Sequence, residues 1–182
     1  LKKDFNTLEN MILDSDTLLD RLETTGEIDF TQATNIGLVG PGGRASGIDI
    51  DLRRDFTYAA YNKFIPKIQI ETDGDALART KVRIKEIYET LDLILEIISK
   101  LPSGEIIEKM PDLIPFQPGI GIVESAKGSL IHWLMLDEKN KIFRWHVRSA
   151  SYMNWKGVVQ ATTGKNIVPD GPLVNKSFNL CY

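Results

Sequence analysis

Several groups of side chains in this 182-residue chain have types and spacings that can do chemistry. The run Gly40-Pro41-Gly42-Gly43-Arg44-Ala45 formally fits the dinucleotide-binding pattern G-x-G-x-x-A. That pattern works only with a buried strand before it, a helix after it and an acidic residue about twenty positions on. Here Ser46-Gly47-Ile48-Asp49 follows, with no helix start, and there is no Walker lysine. A tight loop presenting Arg44 is the better reading. An arginine so placed either aims a fixed, planar cation into a cleft or pairs at the surface with Asp49, Asp51 or Asp55. Those three acids lack calcium-loop spacing and are expected to be solvated or paired with Arg53 and Arg54. His132 and His146 can be cross-strand neighbours, but no third metal ligand stands at a suitable spacing, and ordinary sheet histidines are the simpler reading. Cys181 is the single cysteine. Lone terminal thiols are usually inert, yet thiolates hold soft metals, often as C-x-x-C pairs on a tight turn. A second cysteine just beyond Tyr182 would complete such a pair. No Ser-His-Asp arrangement can be argued.

The elements that must position these groups follow from periodicity. Phe5, Leu8, Ile12, Leu19 and Leu22 recur at helical spacing and predict one amphipathic helix over about 4–24, stopped at Gly26. Five glycines between 37 and 47 predict a loop through 36–47. Phe56, Tyr58, Tyr61 and Phe64 form an aromatic cluster, and Lys67-Ile68-Gln69-Ile70 alternates like a short strand. Thr72-Asp73-Gly74-Asp75 predicts a capped start to the longest helix, about 74–100. Its stripe is Ile84, Ile87, Tyr88, Leu91, Leu95, Ile98 and Leu101, and Pro102-Ser103-Gly104 ends it. Pro111, Pro115 and Pro118 mark an irregular connector. Residues 130–136 and 141–147 flank Asp137-Glu138-Lys139-Asn140 as a β-hairpin. The expected fold is therefore α+β: a helical half with one long helix, then a small antiparallel hairpin or sheet. The expected organisation is a single domain over 1–182. Residues 1–110 would be mainly helical, 111–160 β-rich, and 161–182 an irregular tail leading to Cys181.

The composition excludes several classes. Hydrophobic residues make up 42% and charged residues 26%, ordinary for a globular chain rather than a disordered one. The net charge of −3 gives no bulk attraction to nucleic acid or anionic lipid. The most apolar segment, 91–101, contains Asp92, Glu96 and Lys100, which argues against a transmembrane helix. One cysteine cannot form an internal disulfide, so a reducing compartment is the default. The chain starts Leu1-Lys2-Lys3 and stops soon after the run 173–180, which suggests a piece of a longer protein.

Several motifs in order carry a family resemblance. Gly40-Pro41-Gly42-Gly43-Arg44-Ala45-Ser46-Gly47, Asp51-Leu52-Arg53-Arg54 and Tyr58-Ala59-Ala60-Tyr61 resemble a "GP-x-x-RASG…DLR…PY-x-x-Y" stretch. Thr72-Asp73-Gly74-Asp75-Ala76-Leu77-Ala78-Arg79 with Val82-Arg83 is similar to "GD-x-x-x-R-x-x-VR", and Val123-Glu124-Ser125-Ala126-Lys127-Gly128 to "VE-x-P-[KR]-G-E". Arg148-Ser149-Ala150-Ser151-Tyr152-Met153-Asn154-Trp155 extends the likeness. It covers the chain from about residue 10. The family so resembled unites the large subunits of membrane-bound, energy-converting nickel-iron hydrogenases with the homologous catalytic subunit of respiratory complex I. Thr57, Ala126 and Ser129 depart from it, standing where Pro, Pro and Glu are usual.

The resemblance implies an oxidoreductase large subunit, present here as a middle-to-C-terminal portion that is inactive alone. It implies Arg44 in the catalytic cavity. It also likens Cys181 to the first cysteine of the hydrogenase C-terminal C-x-x-C pair, a pair complex I subunits lack. In the hydrogenase branch thiolates of two such pairs hold a nickel-iron centre, so this chain would carry at most one metal ligand. The implied partners are an iron–sulfur small subunit, whose cluster passes electrons, and membrane subunits; no nucleic acid is implied. The implied location is peripheral, on the cytoplasmic face of a membrane. Two alternatives stay open. One is a quinone-site subunit without nickel, as in NADH:quinone oxidoreductase, and the other is a non-catalytic assembly module. The implied fragment is also expected to expose apolar surface on the long helix and around Phe56–Phe64.

Overall fold

The structure is a computed structural model that describes residues 1–109, 111–164 and 166–181. The division at residue 110, and Tyr182 at the end of the tail, lie outside the described residues. The predicted first helix is two, α1 (Lys2–Leu13) and α2 (Asp16–Leu22), because Ser15 turns extended and its hydroxyl caps α2 by accepting from Leu18 N–H at 3.4 Å. Leu22 then buries against Ala76 and Leu77. A helix not read from the sequence follows, α3 (Phe30–Ile36), opened by a reciprocal Asp29–Gln32 capping box and closed by Gly37 at φ 72°.

The glycine-rich segment is not wholly loop. Gly40–Arg44 forms a short helical turn, α4, with Pro41 in its first turn. Propensity alone forbids a stable helix there, and packing overrides it: Gly42 lies against Phe178 and Gly43 against the Leu38 carbonyl. The four-residue α5 (Leu52–Asp55) is capped by Asp51. Lys67–Ile70 is irregular rather than a strand. Its Lys67 N–H is taken at 2.8 Å by the Glu89 carboxylate, and among the described residues no neighbouring strand completes a ladder.

The long helix α6 (Ala76–Ser99) begins close to the expected position, capped by the last residue of the Thr72–Asp75 signal; the Asp75 carboxylate accepts from Ala78 N–H at 2.7 Å and from Thr24 N–H at 2.8 Å. The first turns of α6 are buried through Ala76, Leu77, Ala78, Arg79, Val82 and Ile84. Beyond them the predicted apolar stripe is left open, with Ile94, Leu95, Ile98 and Leu101 exposed.

The expected hairpin is β2 (Gly128–Leu136) and β3 (Ile142–Arg148), joined on the other side by β1 (Pro118–Ser125) into a three-stranded antiparallel sheet of order β1-β2-β3. His132 pairs with Val147, and His146 with Trp133. Successive strand residues point to opposite faces, so the two histidines cannot share a metal. Trp145 Nε1 donates to His132 Nδ1 and Arg144 Nε to His146 Nε2, both at 3.0 Å.

The β-rich part ends earlier than residue 160. Ser149 caps a further helix, α7 (Ala150–Thr162). The expected irregular tail holds a 3₁₀ turn at Val168–Asp170 and a last helix, α8 (Gly171–Phe178), which ends at Asn179 in the left-handed region. These helices form because Val158, Ala161, Val174, Phe178 and Leu180 close the main core over Ile28, Ala33 and Leu38. No helix among the described residues is long and apolar enough to cross a membrane.

Candidate functional site

Arg44, at the end of α4, is 1% exposed, not a surface residue. Its guanidinium is the hub of a buried ion network. Nε and Nη2 meet the Glu86 carboxylate of α6 at 2.8 and 2.7 Å. Nη1 meets Glu124 of β1 at 3.0 Å, Asp51 at 3.1 Å and the Ile50 carbonyl at 3.2 Å. Of the three acids weighed as its partners, only Asp51 pairs with it. Asp49 and Asp55 go to Arg54, each at 2.6 Å. Asp51 also receives a two-pronged contact from Arg53, at 2.9 and 2.6 Å.

Burial and charge pull these acids in different directions. Burial would raise Asp51, but the Arg53 hydrogen bond and the Arg44 and Arg53 charges outweigh it, and its carboxyl sits below the usual value. For Glu124 burial wins over Arg44, and its pKa is raised. Arg44, Glu86 and Glu124 form one wall of a cavity of about 400 Å³, completed by Arg53, Tyr61 and Arg83. Arg83 spans from α6 to the end of α8, donating to the Arg79 carbonyl at 2.9 Å and the Phe178 carbonyl at 3.0 Å. Burial pushes its pKa down to about 10, so it stays charged at neutral pH.

Cys181 lies just past α8, and its N–H donates to Ser151 Oγ at 3.0 Å. Lys127 Nζ donates to its sulfur at 2.6 Å. That hydrogen bond, then a side-chain interaction of the thiol with Ser151, then the lysine's charge, hold the thiol below its usual pKa. Lys127 sits in the turn between β1 and β2, where Ser125 Oγ accepts from Lys127 N–H at 3.3 Å and donates to the Gly128 carbonyl at 2.8 Å. Sequence reasoning did not single Lys127 out. The signal was present: the motif position it fills is always cationic, Lys or Arg, in the pattern it resembles. A thiol so polarised is a soft metal donor and a nucleophile. It fits one thiolate ligand of a metal centre. Among the described residues no group of three or more His, Cys, Asp or Glu is placed to hold a metal ion.

Arg44 and Cys181 do not touch. They are joined through backbone: α4 begins where Gly40 packs on Gly128, the residue after Lys127.

Comparison with known proteins shows the family and the fold. The family described as respiratory-chain NADH dehydrogenase, 49 kDa subunit, matches residues 1–120 and 113–182. Formate hydrogenlyase subunit 5 of Escherichia coli (strain K12) is 31% identical over 100% of this chain, which spans 32% of that protein. An NADH-quinone oxidoreductase subunit of Clostridium beijerinckii is 33% identical over 92% of this chain and 46% of its own length. Among solved structures, a chain of the membrane-bound sulfane sulfur reductase, an archaeal respiratory membrane complex, superposes with a TM-score of 0.89 at 28% identity. That match covers 99% of this chain and 50% of the other. The chain thus spans half or less of the length of these relatives.

Proposed function

The chain belongs to the family of the 49 kDa subunit of respiratory-chain NADH dehydrogenase, and from that membership we propose that it serves an oxidoreductase large subunit of the hydrogenase type. The observation that carries the choice of branch is Cys181, a thiol held by Lys127 at 2.6 Å and steadied by Ser151. Complex I-type subunits lack a cysteine at this place, and a quinone site has no use for a polarised thiol. Cys181 would hold a nickel-iron centre as one thiolate among four, the others coming from outside these residues. Such a centre, when bound, supplies the redox chemistry of hydrogen and protons.

The chain's own residues do the rest. Ser151 fixes the backbone that presents the sulfur. Lys127, with Nζ 2.6 Å from the sulfur, lowers the thiol pKa and so favours the thiolate, the form in which it ligates. Arg44 does not act as a free cation, because each of its nitrogens is engaged; it orders Glu86, Glu124 and Asp51 along the wall of the 400 Å³ cavity. Burial raises the Glu124 pKa above that of an ordinary glutamate, so in this reading its carboxyl is the group on that wall that exchanges protons. In this reading electrons pass through an iron–sulfur cluster on a small partner subunit. Membrane subunits hold the assembly on the cytoplasmic face of a membrane.

A second reading has its own support. The cavity lining combines the apolar Ile87 and Leu91 with the polar groups of Arg53 and Tyr61, which suits a quinone ring and its oxygens, and one relative is named a subunit of NADH-quinone oxidoreductase. Proton–deuterium exchange under hydrogen separates the two. The hydrogenase reading expects the anaerobically purified complex to catalyse exchange and Cys181→Ser to abolish it. Quinone reduction without exchange, unchanged in Cys181→Ser, would support the second reading.

A further inference from the structure

Lys127 and Cys181 lie 54 residues apart in sequence, yet one face of α7 holds the backbone of both. Ser151 accepts from Cys181 N–H at 3.0 Å. Asn154 is three residues on, one turn along the same face. Its side chain is almost fully buried. Its Oδ1 accepts from Val39 N–H at 3.0 Å, and its Nδ2 donates to the Val39 carbonyl at 3.0 Å and the Lys127 carbonyl at 3.4 Å. Asn154 therefore ties the residue before Gly40 to the residue before Gly128, where the two backbones cross. The crossing is close enough that a Cβ on Gly128 would lie 2.7 Å from Gly40 N.

No other side chain suits this place equally well. Aspartate keeps the acceptor for Val39 but has no donor for either carbonyl, and glutamine carries the carboxamide a methylene too far. An apolar residue leaves the part-buried N–H and C=O of Val39 without their side-chain partner. The carboxamide holds the end of the β1–β2 turn, and with it the root of the Lys127 side chain. The serine does the same for the cysteine.

We propose that Ser151 and Asn154 are positioning residues, acting from one face of α7 to fix the distance between the Lys127 ammonium and the Cys181 sulfur. The proposal deepens the reading of Cys181 as a working thiolate and rests on that reading for its functional meaning. The geometry itself needs no metal.

The test reads the rate at which iodoacetamide alkylates Cys181 in the full chain, stripped of metal by chelation, at one pH near neutrality. Lys127→Gln is expected to slow alkylation about three- to tenfold, because it removes the ammonium that stands 2.6 Å from the reacting sulfur. Asn154→Ala should slow it to a similar extent. The Lys127→Gln/Asn154→Ala double variant should be no slower than Lys127→Gln alone, since the asparagine works through the lysine. Ser151→Ala should change the rate, and Ser151→Thr, which keeps the hydroxyl, should restore it. Thermal melts run alongside separate these effects from general loss of fold. If Asn154→Ala does not fold, the Ser151→Ala and Ser151→Thr pair decides. An Asn154→Ala rate equal to wild type, a double variant slowed by the product of the single effects, or Ala and Thr behaving alike at 151 would each overturn the proposal. Because the assay is metal-free, intact coupling in a protein that binds no nickel would keep this proposal and remove the hydrogenase reading.

Discussion

Gly40 and Gly128 cross backbone to backbone: a Cβ on Gly40 would stand 2.3 Å from the Cα of Gly128. Both glycines also hold positive φ, 63° and 123°. The crossing places the turn bearing Arg44 directly on the turn bearing Lys127, so the ion network and the thiol pair share one rigid joint.

Gly40→Ala attacks that joint twice, through a clash with backbone that cannot swing away and through a strained φ. A loss of about 2–5 kcal/mol in urea unfolding is expected. Gly171→Ala is the matched control, since nothing lies within 4 Å of its added methyl and its φ is −50°. That change should be neutral or stabilising by up to about 1 kcal/mol. Equal effects at the two sites would contradict the packing assigned to the crossing.

Arg44 is expected to matter for stability as well as for activity. Arg44→Ala leaves Glu86, Glu124 and Asp51 facing one another without their shared partner, and removing one member of a buried network costs about 3–5 kcal/mol. Arg44→Lys keeps one charge but cannot reach three carboxylates with a planar fork, so it should fall between Ala and wild type. Chemical denaturation of the three proteins checks the order. An Arg44→Ala chain as stable as wild type would mean the network contributes nothing.

The same acids set opposite pH dependences. Asp51 is held below its ordinary value of 3.8. As pH falls, the unfolded chain takes up that proton before the folded one does, so the Asp51 contribution is present above 3.8 and is lost below it. Glu124 is raised above its ordinary 4.5. The folded chain keeps that proton after the unfolded chain has released it, so stability declines as pH rises from 4.5 through the folded value. Glu124→Gln should flatten the stability profile above 4.5, and Asp51→Asn should flatten it below 3.8. Urea melts across that range measure both slopes. A profile for Glu124→Gln that keeps the wild-type slope would reverse the assignment.

The open half of α6 gives a further test. Leu95 is 62% and Ile98 64% exposed, one turn apart on a helix whose first half is buried. Such a surface on the chain alone favours self-association. Sedimentation should show concentration-dependent oligomers that Leu95→Glu/Ile98→Glu reduces, with the melting temperature little changed. A monodisperse monomer at high concentration in both would show that the stripe is not adhesive.

The sequence made some of this legible and hid the rest for physical reasons. The α6 stripe, the β2–β3 hairpin and the ordered motifs were readable because periodicity and turn chemistry are local. The break at Ser15, the turn Gly40–Arg44 and the helix α8 were not, because each depends on a partner far along the chain: Leu22 on Ala76, Gly42 on Phe178, Val174 and Phe178 on Ile28 and Leu38. Arg44 and Cys181 stood out by type. Lys127, Ser151 and Asn154 did not, since a lysine in a turn and small polar residues in a helix are common, and only the fold brings Lys127 to the sulfur and the two α7 residues to the backbone of Lys127 and Cys181.

Nickel content tests the hydrogenase reading most directly. The complex containing this chain, purified anaerobically with its small subunit, is to be assayed for nickel per large subunit, beside Cys181→Ser prepared in the same way. About one nickel per subunit in the wild type and its loss in Cys181→Ser is the expected result. A wild-type complex that reduces quinone and carries no nickel, with Cys181→Ser unchanged, would contradict it.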